Sequence, residues 1–196
     1  TCPMCGQIHK VVDDEWGTIY CCNEKNFNLY ERLFYKIDNV TKERWMNAIY
    51  NYLEKSPFKE KAGYNYYWKF FYEKTDKTPE DDCKVNLYHL MKQYPYQVID
   101  RIDRILLNLS IKYPALSDTF YIGDFAGKRA RLLYCESEEK RAELISIFSI
   151  LQEQKYIEIV IKKQDDNSTY RLTYKGWQRI AQLSKNNNVI KQGFIA

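Results

Sequence analysis

The carboxy-terminal half of the chain switches between helical and strand periodicity in an order that restricts the possible folds. "QVIDRIDRILLNLSIKYP" repeats apolar residues every three or four positions, which predicts an amphipathic helix closed by Pro114. The apolar face of this helix is Val98, Ile102, Ile105, Leu106 and Leu109. "DTFYIG" is then extended, and "SEEKRAELISIFSILQEQKYI" predicts a second helix with Ser137 as its N-cap. A helix, a short strand and a second helix are therefore expected in that order.

The stretch after this second helix alternates apolar and polar residues twice. "IEIVIKKQDDNSTYRLTYKG" predicts two strands joined by a polar tip, Asp165 to Ser168, and "GWQRIAQLSK" predicts a closing helix. Helix, strand, helix and hairpin together predict a winged-helix domain over residues 97–184. The polar "NNNVIKQ" is typical of a linker, so residues 185–196 are assigned to a linker and the start of a following domain.

The amino-terminal segment places cysteines at a spacing typical of metal ligands. "TCPMCG" is a CxxC knuckle, and "VVDDEWGTIY" predicts a hairpin, with Asp13, Asp14 and Gly17 in its turn, that returns the chain to a second cysteine pair. Thiolates brought together in this way suit the tetrahedral coordination of zinc. We therefore expect a zinc ribbon over residues 1–28 that binds one structural Zn²⁺.

The ligand set of this predicted zinc site is left open at its fourth position. The second cysteine pair is adjacent rather than a CxxC, and neighbouring side chains diverge in an extended chain. The candidate ligands are Cys2, Cys5, Cys21, Cys22 and His9. The alternative is a cluster of partly buried thiols that behave as small hydrophobic residues.

Residues 29–96 are unusually aromatic and are predicted to be helical. "TKERWMNAIYNYLEK" has Thr41 as a candidate N-cap and an apolar face at helical spacing, and a second helix is expected from Val85 to Lys92. The aromatics of "GYNYYWKFFYEK" could stack on nucleotide bases, but burial in a core is the stronger interpretation. The predicted fold class is thus mainly α, of the α+β type, with an aromatic-rich helical middle.

Composition and charge exclude several classes of protein. Hydrophobic residues make up 45% of the chain and aromatics 16%, which indicates a folded protein. The net charge of +4 permits nucleic acid as a partner without demanding it. No targeting segment and no long apolar run is present, so we expect a cytoplasmic protein without a membrane partner.

Motifs that carry enzymatic chemistry are absent from the sequence. There is no GxxxxGK[ST], GxGxxG or HExxH, and the two histidines are far apart in sequence. Paired acids such as Asp81 with Asp82 lie in polar, turn-like stretches typical of solvated surface. We therefore assign no catalytic residue to this chain.

The second half of the chain also resembles a known group of proteins. "LQEQKYIEI", the hairpin and "YRLTYKGWQRI" are similar to the end of the winged-helix domain of certain bacterial proteins, and "KQGFIA" is similar to the start of the QxFxAMxF motif that follows it there. In those proteins a zinc knuckle and a winged helix precede a Toll-receptor-like or nucleoside 2-deoxyribosyltransferase-like effector domain. The resemblance covers Gln97 to Ala196 and, loosely, the cysteine knuckle. It implies a role in antiviral defence, with N-glycosidase chemistry in a domain beyond Ala196.

Two classes of function follow from these observations. The first is a nucleic-acid-binding module whose contacts to DNA come from the second predicted helix, the hairpin and the closing helix, through Lys140, Arg141, Lys162, Lys163, Arg171 and Arg179. Glu136, Glu138, Glu139 and Glu143 crowd the start of the second helix, so repulsion of phosphates predicts weak, largely non-specific binding. The alternative is a protein–protein interaction or oligomerisation module that regulates an attached effector domain or partner protein.

Overall fold

The chain consists of two compact units, Thr1–Tyr94 and Pro95–Ala196. The computed structural model describes residues 12–14, 17–22, 25–29, 37–55, 68–75, 84–137, 139–163 and 168–192. Within these ranges the protein is a mixture of helices and small sheets, which confirms the α+β class. None of the helices in these ranges has the length and apolar character needed to cross a membrane.

The first unit contains a five-stranded sheet. Its strands are β1 (Val12–Asp14), β2 (Gly17–Cys22), β3 (Lys25–Leu29), β4 (Trp68–Phe71) and β5 (Lys84–Asn86). They lie side by side in sequence order, and the first two pairings are antiparallel while the last two are parallel. One sheet therefore joins strands from the predicted ribbon and from the predicted helical middle.

The predicted amino-terminal hairpin is confirmed by the pairing of β1 with β2. Asp13 lies opposite Thr18 and Asp14 opposite Gly17, so these residues belong to the paired strands rather than to the turn. Strand β2 ends at Cys22 and pairs with β3 on its other side, from Thr18 to Cys22.

Helix α1 (Asn39–Lys55) connects the parallel strands β3 and β4 in a β-α-β unit. The prediction that residues 29–96 are helical is wrong at Trp68–Phe71 and Lys84–Asn86, which are strands. Aromatic side chains fit a pleated sheet surface at least as well as a helix, and pairing with a distant strand decided between the two. Sequence periodicity alone does not show that pairing.

Helix α1 is buried along its middle. Every residue from Trp45 to Asn51 is buried, so burial there extends around the helix rather than over one apolar face. The helix begins after Asp38, whose carboxylate accepts hydrogen bonds from the backbone N–H of Thr41 at 2.9 Å and from its hydroxyl at 2.6 Å. The N-cap is thus Asp38 rather than Thr41. The bond from the Thr41 hydroxyl is the main reason that the pKa of Asp38 is lowered.

The aromatic residues that are described in this unit pack on one another. The rings of Trp45 and Tyr72 stack with centroids 5.1 Å apart, and Tyr72 meets the Tyr88 ring edge to face at 6.1 Å. Tyr88 lies on α2 (Leu87–Lys92), which begins two residues later than the sequence predicts because Val85 belongs to β5. These contacts support a packing role for the aromatic residues.

The second unit has four helical segments around a small sheet, followed by a closing helix. The elements are α3 (Val98–Lys112), β6 (Phe120–Tyr121), two 3₁₀ segments (Ile122–Phe125 and Gly127–Leu133), α4 (Lys140–Glu153), β7 (Ile157–Ile161), β8 (Thr169–Leu172) and α5 (Tyr174–Gln192). The strands pair antiparallel in the order β6-β8-β7. The helices α3 and α4, the short extended piece and the hairpin were predicted, whereas the 3₁₀ segments were not.

An aromatic cluster forms the core between the sheet and α4. Phe120, Phe125, Phe148 and Tyr170 all take part, and neighbouring rings have centroids 5.0 to 6.5 Å apart. Residues of the predicted apolar face of α3 are buried with one exception, because Val98 in its first turn is 52% exposed. In the hairpin, Tyr170 packs on Phe148 of α4, with ring centroids 5.0 Å apart.

Two helix boundaries differ from the predictions. Helix α4 begins at Lys140 rather than directly after Ser137, whose hydroxyl accepts a hydrogen bond from the backbone N–H of Glu139 at 3.1 Å. Helix α5 continues through the predicted linker as far as Gln192. Asn and Ser are only a few tenths of a kcal/mol worse than good helix formers, and Gly193 is the first Gly or Pro after Gly176.

Candidate nucleic-acid interface

Helix α4 separates a buried apolar face from an exposed face of short and polar side chains. Leu144, Ile147, Phe148 and Leu151 are buried. The exposed side chains are Arg141, Ala142, Ser146, Ser149, Gln152 and Glu153. Ala142, Ser146 and Ser149 are short, so the helix can approach a groove closely at these positions, and Arg, Ser and Gln are side chains that bind base edges.

Arg101 on α3 compensates two of the acids near the start of α4. Its guanidinium lies 3.4 Å from the Glu143 carboxylate and 3.6 Å from that of Glu136. The second Glu143 oxygen accepts hydrogen bonds from the backbone N–H groups of Glu136 and Ser137, both at 2.7 Å. All three charged side chains are at most 20% exposed. Glu136 and Glu143 thus hold the segment before α4 rather than face solvent.

This arrangement changes the charge expected at the start of α4. The sequence predicted four acids there, of which Glu139 is exposed and the side chain of Glu138 is outside the described residues. Arg101 was missed because its helix is far away in sequence. The only sequence signal was the crowding of acids itself, since any of them that is buried needs a compensating cation.

Of the predicted DNA contacts, those on α4 lie in its first turn. Lys140 is half-buried and Arg141 is exposed. Both also interact with other parts of the chain. These two cations lie at the amino-terminal end of α4. Backbone N–H groups point outward at that end of a helix and attract anions such as phosphate.

The hairpin carries three of the predicted contacts. Arg171 on β8 binds Glu158 on β7 through its Nε at 2.6 Å, and both side chains are nearly half exposed. Lys162 and Lys163 follow β7 directly and are exposed. The Ser168 hydroxyl accepts a bond from the backbone N–H of Lys163 at 3.1 Å, which ties the two strands together before the tip. Residues 164–167 lie outside the described residues, so of the predicted polar tip, Asp165 to Ser168, the structure describes only Ser168.

Arg179 is occupied by a contact within the unit. Its Nε and one terminal nitrogen donate to the two carboxylate oxygens of Asp103 at 2.9 and 2.6 Å. This two-pronged pair links α5 to α3, and the hydrogen bond to Asp103 raises the pKa of Arg179. Arg179 therefore holds α5 against α3. This role differs from the one expected for the cations of α4 and the hairpin.

The net charge of the protein belongs entirely to the second unit. Residues 95–196 contain 16 Lys and Arg against 12 Asp and Glu, while residues 1–94 contain 14 of each. The excess of +4 thus coincides with the unit that carries α4 and the hairpin. An uneven distribution of this kind favours an anionic partner for that unit.

The predicted zinc ligands fall mostly outside the described part of the chain. Cys2, Cys5 and His9 precede it, and Cys21 and Cys22 are consecutive residues of β2, opposite Asn26 and Lys25. Among the side chains that the structure does describe, no three His, Cys, Asp or Glu residues are grouped as metal ligands. Cys83 is also outside the described residues.

Comparison with known proteins gives no assignment for this chain. No protein-family model, no curated protein and no solved structure matches it. What the protein does has therefore to be inferred from the geometry of its own residues.

Proposed function

We propose that the second unit is a winged-helix module that binds duplex DNA through α4 and the β7–β8 hairpin. The observation that carries the proposal is the pairing of the two-residue strand β6 with β8, so that a strand from before α4 completes the sheet of the hairpin. Helix, short strand, helical segment, helix and hairpin then follow one another in the winged-helix order. In helix-turn-helix proteins the helix in the place of α4 enters the major groove.

The charges around α4 support this role. Because Glu136 and Glu143 are bound to Arg101, the exposed face of α4 repels phosphates less than the sequence predicted. Ser149 and Gln152 are of the types that contact base edges. The outer face of the helix is thus compatible with a groove.

The hairpin would supply phosphate contacts. Lys162 and Lys163 are exposed and form no ion pair with any side chain that the structure describes, whereas Arg171 is already paired with Glu158. Contacts of lysine with phosphate are salt-dependent and carry no sequence information, so binding is expected to be largely non-specific, and the small number of free cations makes it weak.

The proposal is tested by titrating the full chain with random-sequence duplex at two salt concentrations. Replacing Lys162 and Lys163 with Ala should weaken binding and lower the slope of log K against log salt by about two. The matched control replaces Lys42 and Lys84, two exposed lysines of the first unit, and removes the same charge. Equal affinity for both double variants would contradict a role of the hairpin.

A protein-interaction module without DNA binding is the second candidate. It is favoured by exposed apolar side chains on the sheet of the second unit, since Tyr121, Val160 and Ile161 are 45%, 42% and 51% exposed. Under this alternative the wild-type chain would not bind duplex at low salt.

We further propose a structural zinc site at the amino terminus. Cys2 and Cys5, with two of His9, Cys21 and Cys22, would bind one Zn²⁺, and the β1–β2 hairpin that leads to the second cysteine pair supports this. Metal analysis of protein purified without added zinc should find about one ion per chain. A metal-free protein whose stability is unchanged by Cys5→Ser would contradict the site.

The resemblance of residues 97–196 to defence proteins extends the proposal to regulation. The module would control a nucleotide-processing effector domain, and the element order of the second unit is compatible with such a role. In a protein that carries both parts, DNA should change the rate at which N-glycosidic bonds are cleaved. An unchanged rate at saturating DNA would contradict regulation through this module.

A further inference from the structure

Strand β7 forms one edge of the sheet in the second unit. In the order β6-β8-β7 it pairs with β8 on one side, and no described strand pairs with its other side. An edge strand offers unpaired N–H and C=O groups to any extended chain. Proteins commonly protect such edges with Lys, Pro or a bulge.

The protection of this edge is incomplete. The strand sequence IEIVI contains neither Lys nor Pro, and its only charge is Glu158. Apart from this charge and its short length, a shift in register between Ile159 and Ile161 is the protective feature of the strand. Val160 and Ile161 are 42% and 51% exposed, so pairing with another strand would remove apolar surface from water.

The charges along the strand are complementary to those of a second copy in reverse. Glu158 lies near the start of β7, where one of its carboxylate oxygens also accepts from Arg171 on β8, and Lys162 and Lys163 follow the end of the strand. Antiparallel pairing of two copies brings the glutamate end of each strand beside the lysine end of the other. Parallel pairing would place like charges side by side, which is unfavourable.

We infer that two copies of this chain associate through antiparallel pairing of their β7 strands. The contact is isologous, as expected for a two-fold dimer, and it joins the two sheets into one of six strands. Because β7 has five residues and a shifted register, the association is weak and depends on protein concentration. It does not depend on DNA, although a two-fold dimer would present two copies of α4 to a duplex.

The test is sedimentation velocity of the full chain over a range of concentrations without DNA. Wild-type protein should show a reversible monomer–dimer equilibrium. Val160→Lys should raise the dissociation constant at least about tenfold, because each strand then places a cation against its own copy in the partner.

The matched control is Ile99→Lys, the same change at an apolar residue of α3 that is 73% exposed. It should leave the dimer unchanged, and circular dichroism should show that both variants are folded. A wild-type chain that stays monomeric at high concentration, or a dimer that Val160→Lys and Ile99→Lys affect equally, would overturn the inference. Neither outcome tests the DNA-binding proposal, which is tested separately by the titration with duplex.

Discussion

Asn86 is the residue whose contacts best show how the first unit is held together. Its side chain oxygen accepts from the backbone N–H groups of Glu73 and Tyr88, both at 3.1 Å, and its amide nitrogen donates to the Glu73 carbonyl at 2.8 Å. It is 3% exposed, caps α2 and binds the chain that leaves β4. The Asn86 side chain thus supplies hydrogen-bond partners to backbone groups in two segments, the chain after β4 and the start of α2.

Removing these bonds should cost considerable stability. Asn86→Ala leaves two N–H groups and one carbonyl without their partner, and we expect a loss of about 2–3 kcal/mol in the free energy of unfolding. Urea denaturation measures this change. Gln93→Ala, at an exposed residue nearby, is the control and should change stability by less than about 0.5 kcal/mol. Equal losses for both variants would show that the Asn86 contacts are not stabilising.

Cys135 is completely buried, as expected for a cysteine that packs as a small hydrophobic residue. Burial is the main cause that raises the pKa of its thiol from 9.0 to about 12. A raised pKa disfavours the thiolate, which is the reactive form of cysteine. We therefore expect Cys135 to resist iodoacetamide in the folded protein and to react once urea is added, as read by peptide mass spectrometry. Labelling of the folded chain at the unfolded rate would contradict this.

At the scale of elements, the start of α4 depends on Arg101 of α3. Arg101→Gln leaves Glu136 and Glu143 without their cation, and breaking such a partly buried cluster should cost about 1–3 kcal/mol. In a double-mutant cycle with Glu143→Gln, the double variant should lose less than the sum of the two single losses. DNA affinity should also fall for Arg101→Gln, because two acids near α4 lose compensation. Strictly additive losses of stability would contradict a coupled cluster.

The elements that sequence periodicity predicted are those whose signal is local. Helices α3 and α4 and the β7–β8 hairpin show their burial pattern within a single segment, and the structure contains them all. Strand β4 depends on a parallel partner from beyond α1, and the 3₁₀ segments have no period of 3.6 residues. The Arg101 cluster was missed for a related reason, since it joins two helices whose approach is set by the fold.

At the scale of the whole molecule, the two units differ in charge and in architecture. The first is electrically balanced and has a five-stranded mixed sheet, whereas the second carries the excess of +4 and an antiparallel sheet of three strands. The central claim is that the second unit binds DNA through the outer face of α4. If so, the side chains on the outer face of α4, and not the net charge alone, determine the affinity for duplex DNA.

The most direct measurement compares the duplex affinity of two full-length variants that carry the same substitution. Ser149→Glu places a carboxylate in the middle of the outer face of α4, and Ser184→Glu places one on α5, where the native serine is also exposed. Both variants lower the net charge by one unit. We expect Ser149→Glu to weaken binding at least about tenfold through repulsion of phosphates, and Ser184→Glu to change it little. Equal affinity of the two variants would contradict the claim that α4 enters the groove.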